Sequence, residues 1–260
     1  MVPTETFVEL TPFTYDELLD DDSQKYEDPV FVWTRSGFPE AIIDESNSHS
    51  FDWRMDFIRT FLGRDTPQFG FSIPAITMRR FWTMLAHYHG QILNASKFGQ
   101  ALGVRHPTIR KYLDIMEQTF MVRLLPPMMA NIKKRLVKTP KVCVRDSGIL
   151  DALLEIEDTE DLLGHPIAGV SWEGWCIEQI LAAMPTWRAS FYRTSSGEEI
   201  DLIIEHGRNR LAFEFKASMS PKLSRGFPEN PGRFAIGPYV DRGAGCRAIC
   251  PAFRRNGLKH

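Results

Sequence analysis

The sequence lacks the features that mark several large classes of protein. Its 260 residues include only four cysteines, too few and too scattered for a disulfide framework or a zinc site. No apolar run approaches the roughly 20 residues that cross a bilayer. The first residues have no basic segment followed by an apolar one, so no signal peptide is predicted. We therefore expect a cytoplasmic protein that does not contact a membrane.

A nucleotide-binding loop is also missing. The pattern G-x-x-x-x-G-K-[ST], whose backbone amides and lysine hold phosphate groups, occurs nowhere in the chain. We predict that this chain has no ATP site and no ATPase activity. Its composition, 43% hydrophobic and 25% charged, is typical of a globular protein with one large domain or two small ones.

The net charge of −2 hides an uneven distribution. Residues 1–50 contain twelve acidic and two basic side chains, whereas residues 101–145 contain ten basic and two acidic ones. A basic stretch of this kind predicts a surface that binds a polyanion such as DNA. A basic face that is only solvated is the alternative.

Residues 94–120 predict two short helices joined by a tight turn. Asn94 is a helix cap, Gly103 ends the first helix, and Pro107 lies in the first turn of the second. This spacing indicates a helix-turn-helix, whose second helix meets bases and phosphates near its N-terminus. The residues predicted to contact DNA there are Arg105, His106, Thr108, Arg110 and Lys111. Two helices packed in a bundle would give the same pattern, so packing alone is the alternative.

A basic loop follows between two predicted strands, "MVRLL" and "KVCVRD". The loop reads "NIKKRLVKTPK" and carries Lys133, Lys134 and Arg135. Such a hairpin suits the wing of a winged helix, which lies against the phosphate backbone. We therefore add these three side chains to the predicted DNA-binding residues.

The stretch from Gly197 to Lys216 predicts two strands that contain charged residues. Because residues two apart share a face, Glu214 and Lys216 point one way and the two phenylalanines of "FEFK" the other. Asp201 begins the neighbouring strand, and Glu173 on the preceding helix can supply a third carboxylate. Asp201, Glu214 and Glu173 are thus predicted to hold Mg²⁺ or Mn²⁺, with Lys216 beside them, for phosphodiester hydrolysis. A simple Glu-x-Lys ion pair on a solvated strand is the alternative.

The order of a helical Glu, an Asp at a strand start and Glu-x-Lys within the next strand resembles the PD-(D/E)XK nuclease core. A wider resemblance covers about residues 8–220. Its segments are "SGFPEAI", "FLGRD", "LNASKFGQALGVRHPTIRKYLDIMEQTFMVRLLPP", "KRLVKTPKVCVRDSGIL", "GVSWEGWCIEQIL", "YRTSSGEEIDLII" and "FEFKAS". They are similar to a large prokaryotic family in which an AAA-type P-loop ATPase module precedes a winged helix and a nuclease-like C-terminal domain of unassigned function. The resemblance implies that the ATPase module is absent here and that a separately encoded one is a possible partner.

Three other candidates have plainer interpretations. His87 and His89 lack further ligands at metal spacing and suit the end of a helix. Asp146 is expected to cap the following helix. Trp172 and Trp175 are expected in the core rather than as a platform for stacked bases.

Together these observations predict an α/β (α+β) protein, with a helical winged-helix region followed by a restriction-endonuclease-like mixed sheet with flanking helices. The predicted divisions are a tail of the missing ATPase module and linker (1–50), a helical region with the winged helix-turn-helix (51–145) and a PD-(D/E)XK nuclease-like domain (146–260). The predicted function is DNA binding joined to a metal-dependent nuclease-like domain. A non-catalytic DNA- or protein-binding remnant, or a regulatory interaction module, is the alternative. The sequence leaves the oligomeric state open.

Overall fold

A computed structural model gives the fold. It describes residues 9–19, 24–44, 46–68, 73–128, 137–195, 197–215 and 235–236. No helix in these ranges is long and apolar enough to cross a membrane.

Helices dominate the described part of the chain. They are α1 (Tyr15–Leu19), α2 (Pro29–Arg35), α3 (Pro39–Ile43), α4 (Asn47–Thr60), α5 (Thr66–Gln68), α6 (Ala75–His87), α7 (Ala95–Leu102), α8 (His106–Gln118), α9 (Ser147–Leu153), α10 (Thr159–Gly164) and α11 (Ala168–Ala183). A 3-10 turn, Gln24–Glu27, precedes α2, and a π-helical turn, Phe61–Asp65, joins α4 to α5.

The strands form two small sheets. They are β1 (Gln91–Ile92), β2 (Val122–Leu125), β3 (Lys141–Val144), β4 (Arg188–Arg193), β5 (Glu199–His206), β6 (Asn209–Phe213) and β7 (Ala235–Ile236). The first sheet is antiparallel with the order β1-β3-β2, and the second has the order β4-β5-β6-β7, with only β7 parallel to its neighbour. The predicted α+β class is confirmed.

Local sequence signals define the two helices of the predicted helix-turn-helix. The side chain of Asn94 accepts a hydrogen bond from the Lys97 amide at 3.1 Å, and Gly103 ends α7 with a left-handed φ of 68°. Gly99 is also required, because a Cβ there would lie 2.8 Å from the carbonyl oxygen of Val104 in the turn. The predicted inward residues of α8 are buried, as expected: Ile109, Leu113 and Met116.

Two main hydrophobic cores stabilise the described residues. One lies among α4, α6, α7, α8, α9 and the first sheet. The other lies between the second sheet, α11 and the N-terminal helices. In it, the indole of Trp33 donates to Ser171 Oγ at 3.0 Å and meets the edge of Trp172. The described part of residues 1–50, where the sequence predicts a tail and linker, therefore packs on the C-terminal half.

The hairpin formed by β2 and β3 is attached to the second sheet. After β2, the chain runs beside β4, where the Phe191 amide donates to Pro126 O at 3.0 Å and the Met128 amide donates to Phe191 O at 2.7 Å. On the return, the Val137 amide donates to Arg193 O at 3.1 Å. Both ends of the predicted wing are thus bonded to the edge of the C-terminal sheet.

Candidate functional site

The first candidate site is the outer face of α8. The N-terminal turns of this helix expose Arg105, His106, Arg110 and Lys111 to solvent, and Thr108 is half-buried among them. The opposite face of the same helix packs into the core. The five predicted residues therefore form one accessible, mostly basic surface, here called the α8 surface, which an anionic ligand can approach.

The other three predicted DNA-binding residues, Lys133, Lys134 and Arg135, lie outside the described residues. The last residue of the same basic loop, Lys141, does not behave as predicted. It begins β3, and its side chain is only 3% exposed, so it is not available to a phosphate group. The apolar residues that follow it in "KVCV" are the signal that this lysine belongs to a buried strand.

The second candidate site is the acidic face of the C-terminal sheet, where Asp201 and Glu214 lie on adjoining segments and are both buried. Asp201 Oδ2 accepts a hydrogen bond at 2.8 Å from the amide of Phe215, the residue next to Glu214. Phe213 and Phe215 pack into the main C-terminal core with parallel rings, as the predicted alternation requires. Lys216 lies outside the described residues.

Glu173 also reaches this face, but a lysine that was not predicted joins it there. Lys141 Nζ lies 3.0 Å from Glu173 Oε1 and 2.7 Å from Glu199 Oε1. Burial lowers the pKa of Lys141, yet the charges of Glu173, Glu199 and Asp201 outweigh it and raise the pKa above the ordinary value. The ammonium group is therefore charged and neutralises part of the acidic face.

These contacts bear on the predicted metal site. Within the described ranges, no group of three or more His, Cys, Asp or Glu side chains lies at metal-ligand spacing. Instead, carboxylates lie around the ammonium group of Lys141, and one Asp201 oxygen is already bonded to the backbone. In this arrangement the carboxylates do not fit Mg²⁺ or Mn²⁺, which would need its oxygen ligands gathered at about 2.0–2.2 Å. The metal site stays a prediction.

A second ionic cluster lies further along the same helix. Arg123 makes a two-bond contact with Glu178, at 2.5 Å and 2.7 Å, and Arg145 Nε donates to Glu178 Oε2 at 3.1 Å. Arg145 also contacts Glu9 at 2.7 Å. Burial lowers the pKa of Arg123, but its hydrogen bond to Glu178 more than offsets this and raises it. In the sequence Arg123 belongs only to the basic stretch, and no pattern points to Glu178.

His89 completes the contacts between the two halves. It is buried, its Nδ1 accepts from the Val144 amide at 3.1 Å, and its Nε2 lies 3.1 Å from Val170 O. Burial lowers its pKa to about 4, so the ring is neutral near pH 7 and donates through Nε2. A Cβ at Gly174 would lie 2.2 Å from this nitrogen. His89 is therefore fixed inside the structure.

Two further predictions are confirmed. Asp146 caps α9, since its Oδ1 accepts from the Ile149 amide at 2.8 Å. Its other oxygen accepts from Ser36 Oγ and the Gly37 amide, which ties α9 to the N-terminal helices. Trp172 and Trp175 are buried in the main C-terminal core.

The chain belongs to the family described as Domain of unknown function (DUF8612), whose profile matches residues 26–160. A second profile, Domain of unknown function (DUF4143), matches residues 168–235. That domain is often found at the C-terminus of AAA-type ATPase-associated proteins. The family boundary between residues 160 and 168 lies just before α11.

Among curated relatives, the chain is similar to the uncharacterised proteins Rv2008c of Mycobacterium tuberculosis and Mb2031c of Mycobacterium bovis. Each is 42% identical over 194 residues, which is 75% of this chain. The chain spans 44% of the length of these relatives. No solved structure matches the chain.

Proposed function

We propose that the chain binds duplex DNA with little sequence preference through the α8 surface. The observation that carries the proposal is that Arg105, His106, Arg110 and Lys111 are all exposed on the first turns of one helix. Cations held on one face can neutralise successive phosphates and release the counterions that surround DNA, which drives binding of any sequence.

The arrangement around this helix supports the interpretation as a winged helix. The element order is α6, β1, α7, α8, β2, β3, and the three strands form a sheet in the order β1-β3-β2. This places α8, the predicted recognition helix, just before the hairpin that would form the wing. Recognition helices of helix-turn-helix proteins present their N-terminal residues to the groove, which is where the basic residues of α8 lie.

Reversing two charges tests the proposal. Arg110→Glu combined with Lys111→Glu should weaken binding to unrelated duplexes by a similar factor, because the phosphate groups that these side chains would neutralise carry no sequence information. The slope of log K against log salt should become less steep by about 0.9 for each phosphate that the variant no longer neutralises. Fluorescence anisotropy across a salt series with two unrelated duplexes measures both effects.

A matched control is Arg188→Glu combined with Arg208→Glu. Both arginines are exposed on the C-terminal sheet, so this variant has the same net charge as the first. It should keep most of the wild-type affinity and the wild-type salt slope. Equal losses of affinity in the two double variants would mean that only net charge matters, and the α8 surface would not be the binding site.

Metal-dependent hydrolysis of DNA is a second candidate for the acidic face. It is favoured by the position of Asp201 beside the backbone of the segment that carries Glu214. On this hypothesis, supercoiled plasmid should be nicked in the presence of Mg²⁺ or Mn²⁺, and Asp201→Asn and Lys216→Ala should each abolish nicking. Nicking that persists in both variants would come from another source. The contacts of Lys141 favour the non-catalytic alternative.

The family association supports one partner. Since DUF4143 domains accompany AAA-type ATPases, a separately encoded ATPase module is the partner that we propose for this chain.

A further inference from the structure

We propose that Lys141 is a built-in counter-cation of the acidic face, so that the resting protein binds no divalent ion there and becomes able to bind one when Lys141 is removed. This inference concerns the acidic face alone and does not depend on DNA binding by the α8 surface. It competes with the metal-dependent candidate, because that candidate requires the wild-type face to bind metal.

The position of the ammonium group is the first argument. Lys141 Nζ lies within 3.0 Å of one carboxylate oxygen on α11 and 2.7 Å of another on β5, and Asp201 adds its charge nearby. An ammonium group donates three hydrogen bonds, so it can satisfy several carboxylates at once. Lys141 thus lies among the acidic groups that a divalent ion would have to share.

Burial is the second argument. The side chains of Lys141, Glu173 and Glu199 are 3%, 16% and 26% exposed, so solvent screens their charges poorly. Charges in such surroundings need a partner, and removing one partner of a buried pair is strongly destabilising. Arg193 contacts the other oxygen of Glu199 at 3.4 Å, but it is 39% exposed and is only a partial substitute. Without Lys141, Glu173 and Asp201 would therefore favour another cation.

The origin of Lys141 is the third argument. It belongs to β3, in the sheet of the DUF8612-matching half, whereas Glu173, Glu199 and Asp201 belong to the half that the DUF4143 profile matches. The backbone of Lys141 is fixed by pairing with both β1 and β2, and its side chain also lies over the Phe191 ring at 5.4 Å. The lysine is therefore held against the acidic face by packing outside that face.

The experiment compares wild type, Lys141→Gln and Lys141→Arg by thermal melting in EDTA and in Mn²⁺. Bound Mn²⁺ is counted independently by the loss of the free-ion signal in electron paramagnetic resonance. We expect Lys141→Gln to melt below wild type in EDTA, to bind one Mn²⁺ per chain and to recover stability with it. Wild type and Lys141→Arg, which keep the cation, should bind none at this face.

Further variants make each outcome informative. Adding Asp201→Asn to Lys141→Gln should remove the response to Mn²⁺, because the face then has one carboxylate fewer. If Lys141→Gln does not fold in either buffer, Lys141→Gln with Glu199→Gln carries less excess negative charge and should still bind Mn²⁺ through the remaining carboxylates.

Two results would overturn the inference. One is Mn²⁺ bound by the wild-type acidic face but not by Asp201→Asn, which would favour the metal-dependent candidate instead. The other is a folded Lys141 variant, single or double, that gains no binding and no stability from Mn²⁺. Neither result would affect DNA binding, which is measured by anisotropy.

Discussion

At the scale of single residues, the contact between His89 and Gly174 shows how one small side chain admits a buried polar one. The His89 ring uses both nitrogens, one toward the Val144 amide and the other toward Val170 O. An ideal Cβ at Gly174 would lie 2.2 Å from Nε2 and 2.6 Å from the neighbouring ring carbon, far inside van der Waals contact. Glycine at this position therefore keeps the ring in the place where both of its hydrogen bonds form.

We expect Gly174→Ala to lower the free energy of unfolding by about 2 kcal/mol, because the ring must shift and strain its contacts. Gly169→Ala is the matched control, since Gly169 lies in the same helix and a Cβ there meets nothing within 4 Å. That control should be neutral or stabilising by up to about 1 kcal/mol, as alanine is the better helix former. Urea unfolding curves measure both values.

A double variant identifies the cause of the destabilisation. If the clash with His89 is responsible, His89→Ala should cost less stability in the Gly174→Ala background than in wild type, because the ring that clashes is gone. Additive effects of the two substitutions, or equal effects of the two glycine substitutions, would mean that this contact does not determine the stability of α11.

At the scale of elements, local signals in the sequence predict more than long-range ones. The start and end of α7 and the start of α8 follow from Asn94, Gly103 and Pro107, because caps and turns depend on neighbouring residues alone. The strands of the second sheet likewise follow from alternation and from the turn at residues 206–210. These parts of the fold can be anticipated from the sequence.

The partners of charged side chains cannot be predicted in the same way. Lys141 resembles the end of a basic loop, and nothing near it in the sequence points to Glu173 or Glu199. Such pairs form only when separate elements pack, and so they depend on the whole fold. The accessible residues of the α8 surface can be predicted, because exposure on a helix follows from the spacing of its buried residues.

The same reasoning explains the acidic face. Its carboxylates Asp201 and Glu214 are expected near each other because adjacent strands and the alternation of side chains follow from pattern. The cation that neutralises the face comes from another sheet, and for that reason the sequence does not reveal it. A motif search therefore identifies the acids but not the group that determines what they can bind.

At the scale of the whole molecule, α11 joins the two halves. Its apolar face, which includes Trp172 and Trp175, packs in the main C-terminal core. Its other face meets the first sheet and the end of α6 through Val170, Glu173 and Glu178. These positions recur at helical spacing, so one helix presents an apolar face to one half and a polar face to the other. We therefore expect the two halves to unfold together.

Glu178→Gln tests this coupling. The substitution leaves Arg123 and Arg145, which are largely buried, with one neutral partner in place of a carboxylate. Breaking one partner of a buried ion pair costs about 3 kcal/mol at the lower end of its range. We expect the variant to melt at lower temperature and over a broader range, because the contact between the halves weakens more than either core does. Differential scanning calorimetry measures both changes.

Glu205→Gln provides the comparison, since Glu205 pairs with Arg210 inside one hairpin of the C-terminal sheet. That pair joins no separate elements and is more exposed to solvent, so its removal should cost at most about 1 kcal/mol and leave a single sharp transition. A Glu178→Gln transition as sharp and as little shifted as that of Glu205→Gln would show that Glu178 does not couple the halves. In that case the His89 contacts and the pairs of Lys141 would have to provide the coupling that holds α11 against the first sheet.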